Sequence, residues 1–262
     1  MEILKKTYTT IKINVLRGVL TIKIDRPEAN NSIDTVLVKE LISALGLIED
    51  DASIKVVVLE GQPDFFCTGM DFKSVVSMGI EKLKEDDPNG YYNLLKQFST
   101  CSKIVISKIE GTVNAGGIGI VAASDIVIAN ETAVFSLSEM LFGLLPACVL
   151  PFLIRRVGFQ KAKWLTLTTK SITSNKACDI GLVDEVANNV NEALRKNLLR
   201  LTRLESSTIK DAKIYMNDLW ILNDDTQKFA VSKLQDLMGT EKVQSNLFNF
   251  VNHGKFPWDK HS

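Results

Sequence analysis

Histidine is almost missing from this sequence, with only His253 and His261, both near its C-terminal end. A Ser-His-Asp hydrolase and a histidine-rich metal centre therefore lack their parts, and metal ligation is not expected. Cysteine is sparse too: Cys67, Cys101, Cys148 and Cys178 are scattered without C-x-x-C pairing, which argues against a zinc site or a disulfide framework and reads as reduced core thiols. Neither charge is in excess. Lys plus Arg and Asp plus Glu each total 31, with no basic block of the kind that follows a phosphate backbone, so nucleic acid is not an expected partner. No apolar run approaches the roughly 18 residues that span a bilayer, and MEILKKTYTTIKI lacks the apolar core of a signal peptide. The expectation is a cytoplasmic protein without a membrane segment, whose chemistry relies on carboxylates and backbone.

What is present is enough for a large core. The 262 residues are 45% hydrophobic and 24% charged, which suits one large domain, or a domain with a helical appendage. Ile11 to Asp25 alternate around Arg17-Gly18, the pattern of a hairpin of two half-buried strands. After Ser32, Leu37, Leu41, Ala44, Leu45 and Ile48 keep helical spacing. Val56 to Leu59 is a continuous apolar run, as a strand buried on both faces requires. The pattern weakens from Val75 to Tyr92, where the polar residues 85–90 suggest a mobile segment and a lid. A helix resumes at Leu94, Ile104 to Ile106 reads as a strand, Ile118 to Ser124 as a short helix and Asp125 to Ala129 as another strand. Ala162 to Leu167 begins a further helix. Beyond about Asn188 the chain reads as amphipathic helix, with an apolar stripe at Leu194, Leu198 and Leu201 that needs a cover.

Chemistry concentrates between Lys108 and Pro146. Gly116, Gly117 and Gly119 fall where a strand gives way to a helix, leaving backbone N–H groups uncovered at the helix's positive end, where an anion or a developing oxyanion can dock. Close packing of helix on sheet explains such glycines equally well, so a second signal is needed. It lies upstream, in Phe65-Phe66-Cys67-Thr68-Gly69-Met70-Asp71-Phe72, between a strand and a helix, where a second backbone donor can stand. Glu139 is a lone acid among Phe135, Leu137, Met140, Leu141 and Phe142, surroundings that raise a carboxyl pKa and suit it to proton transfer. Its bland reading is a capping or surface acid. Gly117-Ile118-Gly119-Ile120-Val121-Ala122 also matches the G-x-G-x-x-A dinucleotide pattern, with Glu131 beyond it. A helix of about eight residues is too short for that crossover, and a nicotinamide enzyme is set aside.

These three phrases in order, FFCTGMDF, NAGGIG and FSLSEMLFG, resemble the crotonase (enoyl-CoA hydratase/isomerase) superfamily from about Thr10 to Val186. The resemblance implies an α/β fold, a spiral of stacked ββα turns over residues 1–187, followed by a C-terminal helical oligomerisation region at 188–262, with homotrimers or hexamers. It implies an oxyanion hole made by the N–H groups of Met70 and Gly116, facing a thioester carbonyl, and Glu139 as acid-base residue. Typical hydratases of the family hold water between two glutamates, and Gly119 stands at the first of these positions. A carboxylate is therefore missing, which disfavours simple hydration and leaves one group able to take a C2 proton and return it to a hydroxyl on the same face.

Further phrases, among them RPEANNSI, VNAGGIGIVAASDI, FSLSEMLFGLLPACVLPFLIRR and GKFPW, resemble the dehydratases of bacterial polyketide β-branching cassettes. That resemblance implies loss of water from a 3-hydroxy-3-methylglutaryl thioester to give 3-methylglutaconyl. The acyl group would be carried on the phosphopantetheine of an acyl carrier protein, with no cofactor resident in the enzyme. Asp71, Asn114 and Cys148 fall near the site and are candidates to orient the hydroxyl or the distal carboxylate; helix support, turn formation and core filling are their ordinary readings. A Δ3,Δ2-enoyl isomerase, a 3-methylglutaconyl decarboxylase and a non-catalytic binding module are the alternatives.

Overall fold

The computed structural model describes residues 2–73, 76, 88–219 and 223–259; residues 85–87 of the proposed lid lie outside them. A hairpin of β1 (Ile11–Leu16) and β2 (Val19–Ile24) opens the chain, followed by helix α1 (Thr35–Gly46), whose N-cap Asp34 accepts a hydrogen bond from Leu37 N. The Leu37, Leu41, Ala44 and Leu45 stripe is buried, as its spacing requires.

Three turns of one unit follow. In each, a strand of a large sheet is succeeded, after a corner, by a short strand of a second sheet. These pairs are β3 (Val56–Glu60) with β4 (Phe65–Cys67), β5 (Ile104–Ile109) with β6 (Thr112–Asn114), and β7 (Ile126–Asn130) with β8 (Val134–Ser136). Helix α2 (Pro88–Thr100) precedes the second pair, and α3 (Gly116–Ala123) lies between the second and third. Helices α4 (Leu150–Val157) and α5 (Phe159–Thr168), strand β9 (Ile172–Thr173), helix α6 (Ser174–Asp179) and strand β10 (Glu185–Ala187) complete the two sheets. Their orders are β1-β2-β3-β5-β7-β10 and β4-β6-β8-β9. Apart from the β1–β2 and β8–β9 pairs, neighbouring strands run parallel.

The apolar run of β3 is buried on both faces because two cores meet it. Val57 and Leu59 join the main core with α1, α2 and α3, while Val56 and Val58 join Val19, Ile106 and Ile128 on the other face. That second face is covered by α7 (Val190–Leu201), and the Leu194, Leu198 and Leu201 stripe lies against it. The stripe thus finds the cover it needs within the same chain. Three more helices follow: α8 (Ser206–Asp218), α9 (Asp224–Met238) and α10 (Glu241–His253).

Two boundaries differ from the sequence reading. Helix α2 spans Pro88–Thr100 and so already includes residues before Leu94. Tyr92, Leu94, Leu95 and Phe98 then form its buried face. Helix α3 begins at Gly116, so the glycines form its first turn.

Candidate active site

The second sheet sets the site. Strands β4, β6 and β8 are parallel neighbours, so their C-terminal ends lie side by side, the usual position of ligand sites in parallel sheets. Met70 stands three residues beyond β4, Gly116 two beyond β6 and Glu139 three beyond β8. One fold repeat, used three times, delivers the two candidate donors and the acid to one place. All three line a cavity of about 200 Å³ together with Tyr91, Leu144, Cys148 and residues of α1.

The first donor loop is held by Ile33, whose N–H donates to Gly69 O at 2.6 Å and whose carbonyl accepts from Asp71 N at 3.0 Å. That bracket secures both neighbours of Met70, and the Met70 N–H itself meets no acceptor among the described residues. Gly69 has φ of +90°, and a Cβ on it would lie 2.6 Å from Ala115 Cβ and 3.2 Å from Gly116 N. Glycine is therefore required at 69 for the two loops to touch. Ala115 adopts φ 49° and ψ −120°, a strained conformation for a residue with a side chain, immediately before Gly116. As the first residue of α3, Gly116 has an N–H with no intrahelical partner, at the helix's positive end.

Glu139 opens a short 3₁₀ helix, Glu139–Phe142. Its Oε2 is enclosed and has no hydrogen-bond partner among the described residues. Burial pushes the carboxyl up to about 7, opposed only by its own backbone N–H. The 3₁₀ helix is braced from the C-terminal region. Asn246 Nδ2 donates to Phe142 O at 3.0 Å, and the Phe142 ring meets Phe72, Phe250 and Phe256 at centroid separations of 5.3, 4.9 and 6.0 Å. Trp258 stacks on Phe256 at 4.8 Å, so the GKFPW phrase closes over the element that carries the acid.

The three secondary candidates separate. Cys148 lines the cavity, but burial pushes its thiol up to about 12, leaving it a small apolar group rather than a nucleophile. Asn114 is taken up in bracing: its Oδ1 accepts from Ser136 Oγ at 2.8 Å and its Nδ2 donates to Ser138 Oγ at 2.9 Å, tying the end of β6 to the Glu139 loop. Asp71 pairs with Arg26 at 3.2 Å, and that guanidinium also holds Asp34 at 2.7 Å. Neither Asp71 nor Asn114 lines the cavity.

Sequence reading missed Tyr91 and Lys39, which both line it. Tyr91 Oη donates to Gly116 O at 2.5 Å. The two lie 25 residues apart, and no local pattern links them. Lys39 falls on the polar side of the α1 stripe, where it reads as ordinary surface charge.

The enoyl-CoA hydratase/isomerase family model matches residues 15–261. The chain belongs to that family. Bacillaene synthase dehydratase PksH of Bacillus subtilis is 42% identical over 256 residues, 97% of this chain and 98% of the relative. A crystal structure of a polyketide biosynthesis enoyl-CoA hydratase, PksH, from Bacillus subtilis superposes with a TM-score of 0.90 at 41% identity, covering 96% of this chain and all of that one. Pseudomonas aeruginosa AtuE gives a TM-score of 0.77 at 26% identity, over 93% of this chain and 97% of its own. The mixed α/β architecture is thus the family's, and its relatives' names, dehydratase and hydratase, describe hydro-lyases. Among the described residues no helix is long and apolar enough to cross a membrane.

Proposed function

We propose that the chain dehydrates a 3-hydroxyacyl thioester during polyketide assembly, with 3-hydroxy-3-methylglutaryl on an acyl carrier protein as substrate and 3-methylglutaconyl as product. The observation that carries this reading is that Glu139, whose Oε2 has no partner among the described residues, lines one apolar cavity with Met70 and Gly116, whose N–H groups meet no acceptor among them. Among the described residues Asp34 is the other acid lining the cavity, and it is already bound to Arg26. The dehydratase named among the relatives, alike over nearly its whole length, supports it.

In this mechanism the thioester oxygen lies between Met70 N–H and Gly116 N–H. Ionised Glu139 takes the C2 proton, and the electron pair of the C–H bond moves to the carbonyl oxygen as an enolate. Two donors aimed at that oxygen stabilise the charge as it forms, in a low-dielectric site that strengthens each bond. The enolate then collapses, the C2–C3 double bond forms, and the C3 hydroxyl leaves as water with the proton from Glu139. One acid serves both steps from one face of the substrate. Glu139, held to about 7, is matched to a proton that it must accept and then return. Among the described residues Lys39 is the cation lining the cavity, and it suits the substrate's distal carboxylate. No resident cofactor enters the scheme, and phosphopantetheine arrives with the substrate on the carrier protein.

The test is intact-protein mass spectrometry of a carrier protein loaded with 3-hydroxy-3-methylglutaryl, before and after addition of the enzyme. Loss of one water is the expected result. No change, followed by loss of carbon dioxide from the 3-methylglutaconyl carrier, assigns the decarboxylase instead; double-bond migration in a 3-enoyl thioester assigns the isomerase. Inertness towards all three substrates leaves a binding module.

A further inference from the structure

Gly119, one turn into α3, has no open space in front of it. A Cβ built there would lie 2.2 Å from Tyr91 Oη, 3.0 Å from Leu95 Cδ1 and 3.1 Å from Val149 Cγ2. The phenol of Tyr91 occupies that position and anchors itself on Gly116 O at 2.5 Å. It also stands 3.4 Å from where a Gly116 Cβ would be. One hydroxyl thus lies against both Gly116 and Gly119, while Tyr91 lines the cavity that holds Glu139.

We propose that Tyr91 is the positioning and specificity-determining residue of this site: its hydroxyl holds the oxyanion donor Gly116 in place and fills the volume beside Gly119, so that no side chain at 119 can enter beside the donor turn. The inference rests on the dehydration reading. Three facts support it. Fixing the carbonyl of Gly116 removes one way in which the α3 end can turn its free N–H away from the cavity, at a residue without a side chain of its own. The phenol remains protonated, since burial, and after it Cys67, Cys148 and Glu139, push it well above its usual range. The volume at Gly119 is closed to any side chain while Tyr91 Oη is there.

The experiment compares turnover of the 3-hydroxy-3-methylglutaryl carrier thioester by wild type, Tyr91→Phe, Gly119→Ala and the double variant, with Tm measured on each. Tyr91→Phe keeps the ring and loses one hydrogen bond, so kcat is expected to fall roughly three- to tenfold. KM is expected to stay near wild type, because a misplaced oxyanion donor weakens a bond that matters mainly in the transition state, while Tm falls by only a few degrees for the lost hydrogen bond. Gly119→Ala is expected to damage the wild type severely and the Tyr91→Phe background far less. Removing Oη leaves Leu95 Cδ1, at 3.0 Å, as the nearest atom to the new methyl group. An unchanged kcat in Tyr91→Phe, or a lowered Tm with kcat intact, overturns the inference while the dehydratase stands. An inactive wild type overturns the functional reading and this inference together.

Discussion

Replacing Glu139 by glutamine is expected to make the protein more stable while removing its chemistry, and only at neutral and higher pH. In the folded chain the carboxyl holds its proton up to about 7, against 4.5 ordinarily. Below pH 4.5 it is protonated in both folded and unfolded chains, so burial of charge costs nothing. Between 4.5 and about 7 the unfolded chain releases the proton while the folded chain retains it, and stability falls as pH rises. Above about 7 both are ionised and the full penalty stands. At about 1.4 kcal/mol per pH unit, that interval amounts to about 3 kcal/mol. Glutamine has the same shape and never ionises. The variant should therefore match wild type near about pH 4 and exceed it by about 3 kcal/mol near about pH 8, which for a chain of this size is roughly 6–12 °C in Tm. Differential scanning calorimetry of both proteins across this range isolates the effect, because the other titrating groups are common to both. A Tm difference that does not change with pH would show that Glu139 ionises as an ordinary surface acid, and the acid-base role would lose its physical basis.

Three further outcomes follow from the same geometry. Met70→Pro removes one N–H donor and should lower kcat about 10²- to 10³-fold, with circular dichroism unchanged; turnover within tenfold of wild type would show that the donor is elsewhere. Because Glu139 must be ionised to accept the C2 proton, kcat/KM should rise with pH and level off above about 7; a flat profile from about pH 5.5 to 8.5 would contradict that. Phe256→Ala opens the aromatic stack over Phe142 and should cost about 2 kcal/mol in thermal denaturation, with lower kcat as the 3₁₀ helix loosens; unaltered turnover would show that the tail does not position the acid.

Much of the scaffold was legible because burial imposes periodicity. The β3 run, the α1 stripe and the hairpin each announce which faces are covered. The three motifs left local marks because the close approach of two loops needs glycine at 69 and a helix opens at Gly116. Contacts between distant segments left none. Tyr91 lay in the weak stretch before Leu94, and what makes it matter is Gly119, on another helix. Asn114 and Asp71 stand in the motifs, yet Ser136, Ser138 and Arg26 occupy their side chains. The Leu194 stripe announced an apolar face correctly, but the pattern could not say that the large sheet of the same chain lies against it.

The central claim is that Glu139 alone, facing the Met70 and Gly116 donors, removes water from the carrier-bound substrate. Its most direct test places wild type and Glu139→Gln side by side on the 3-hydroxy-3-methylglutaryl carrier protein and reads intact mass. The account predicts loss of one water with wild type and an unchanged carrier with the variant. Loss of water with both would keep the reaction and contradict the assignment of the acid.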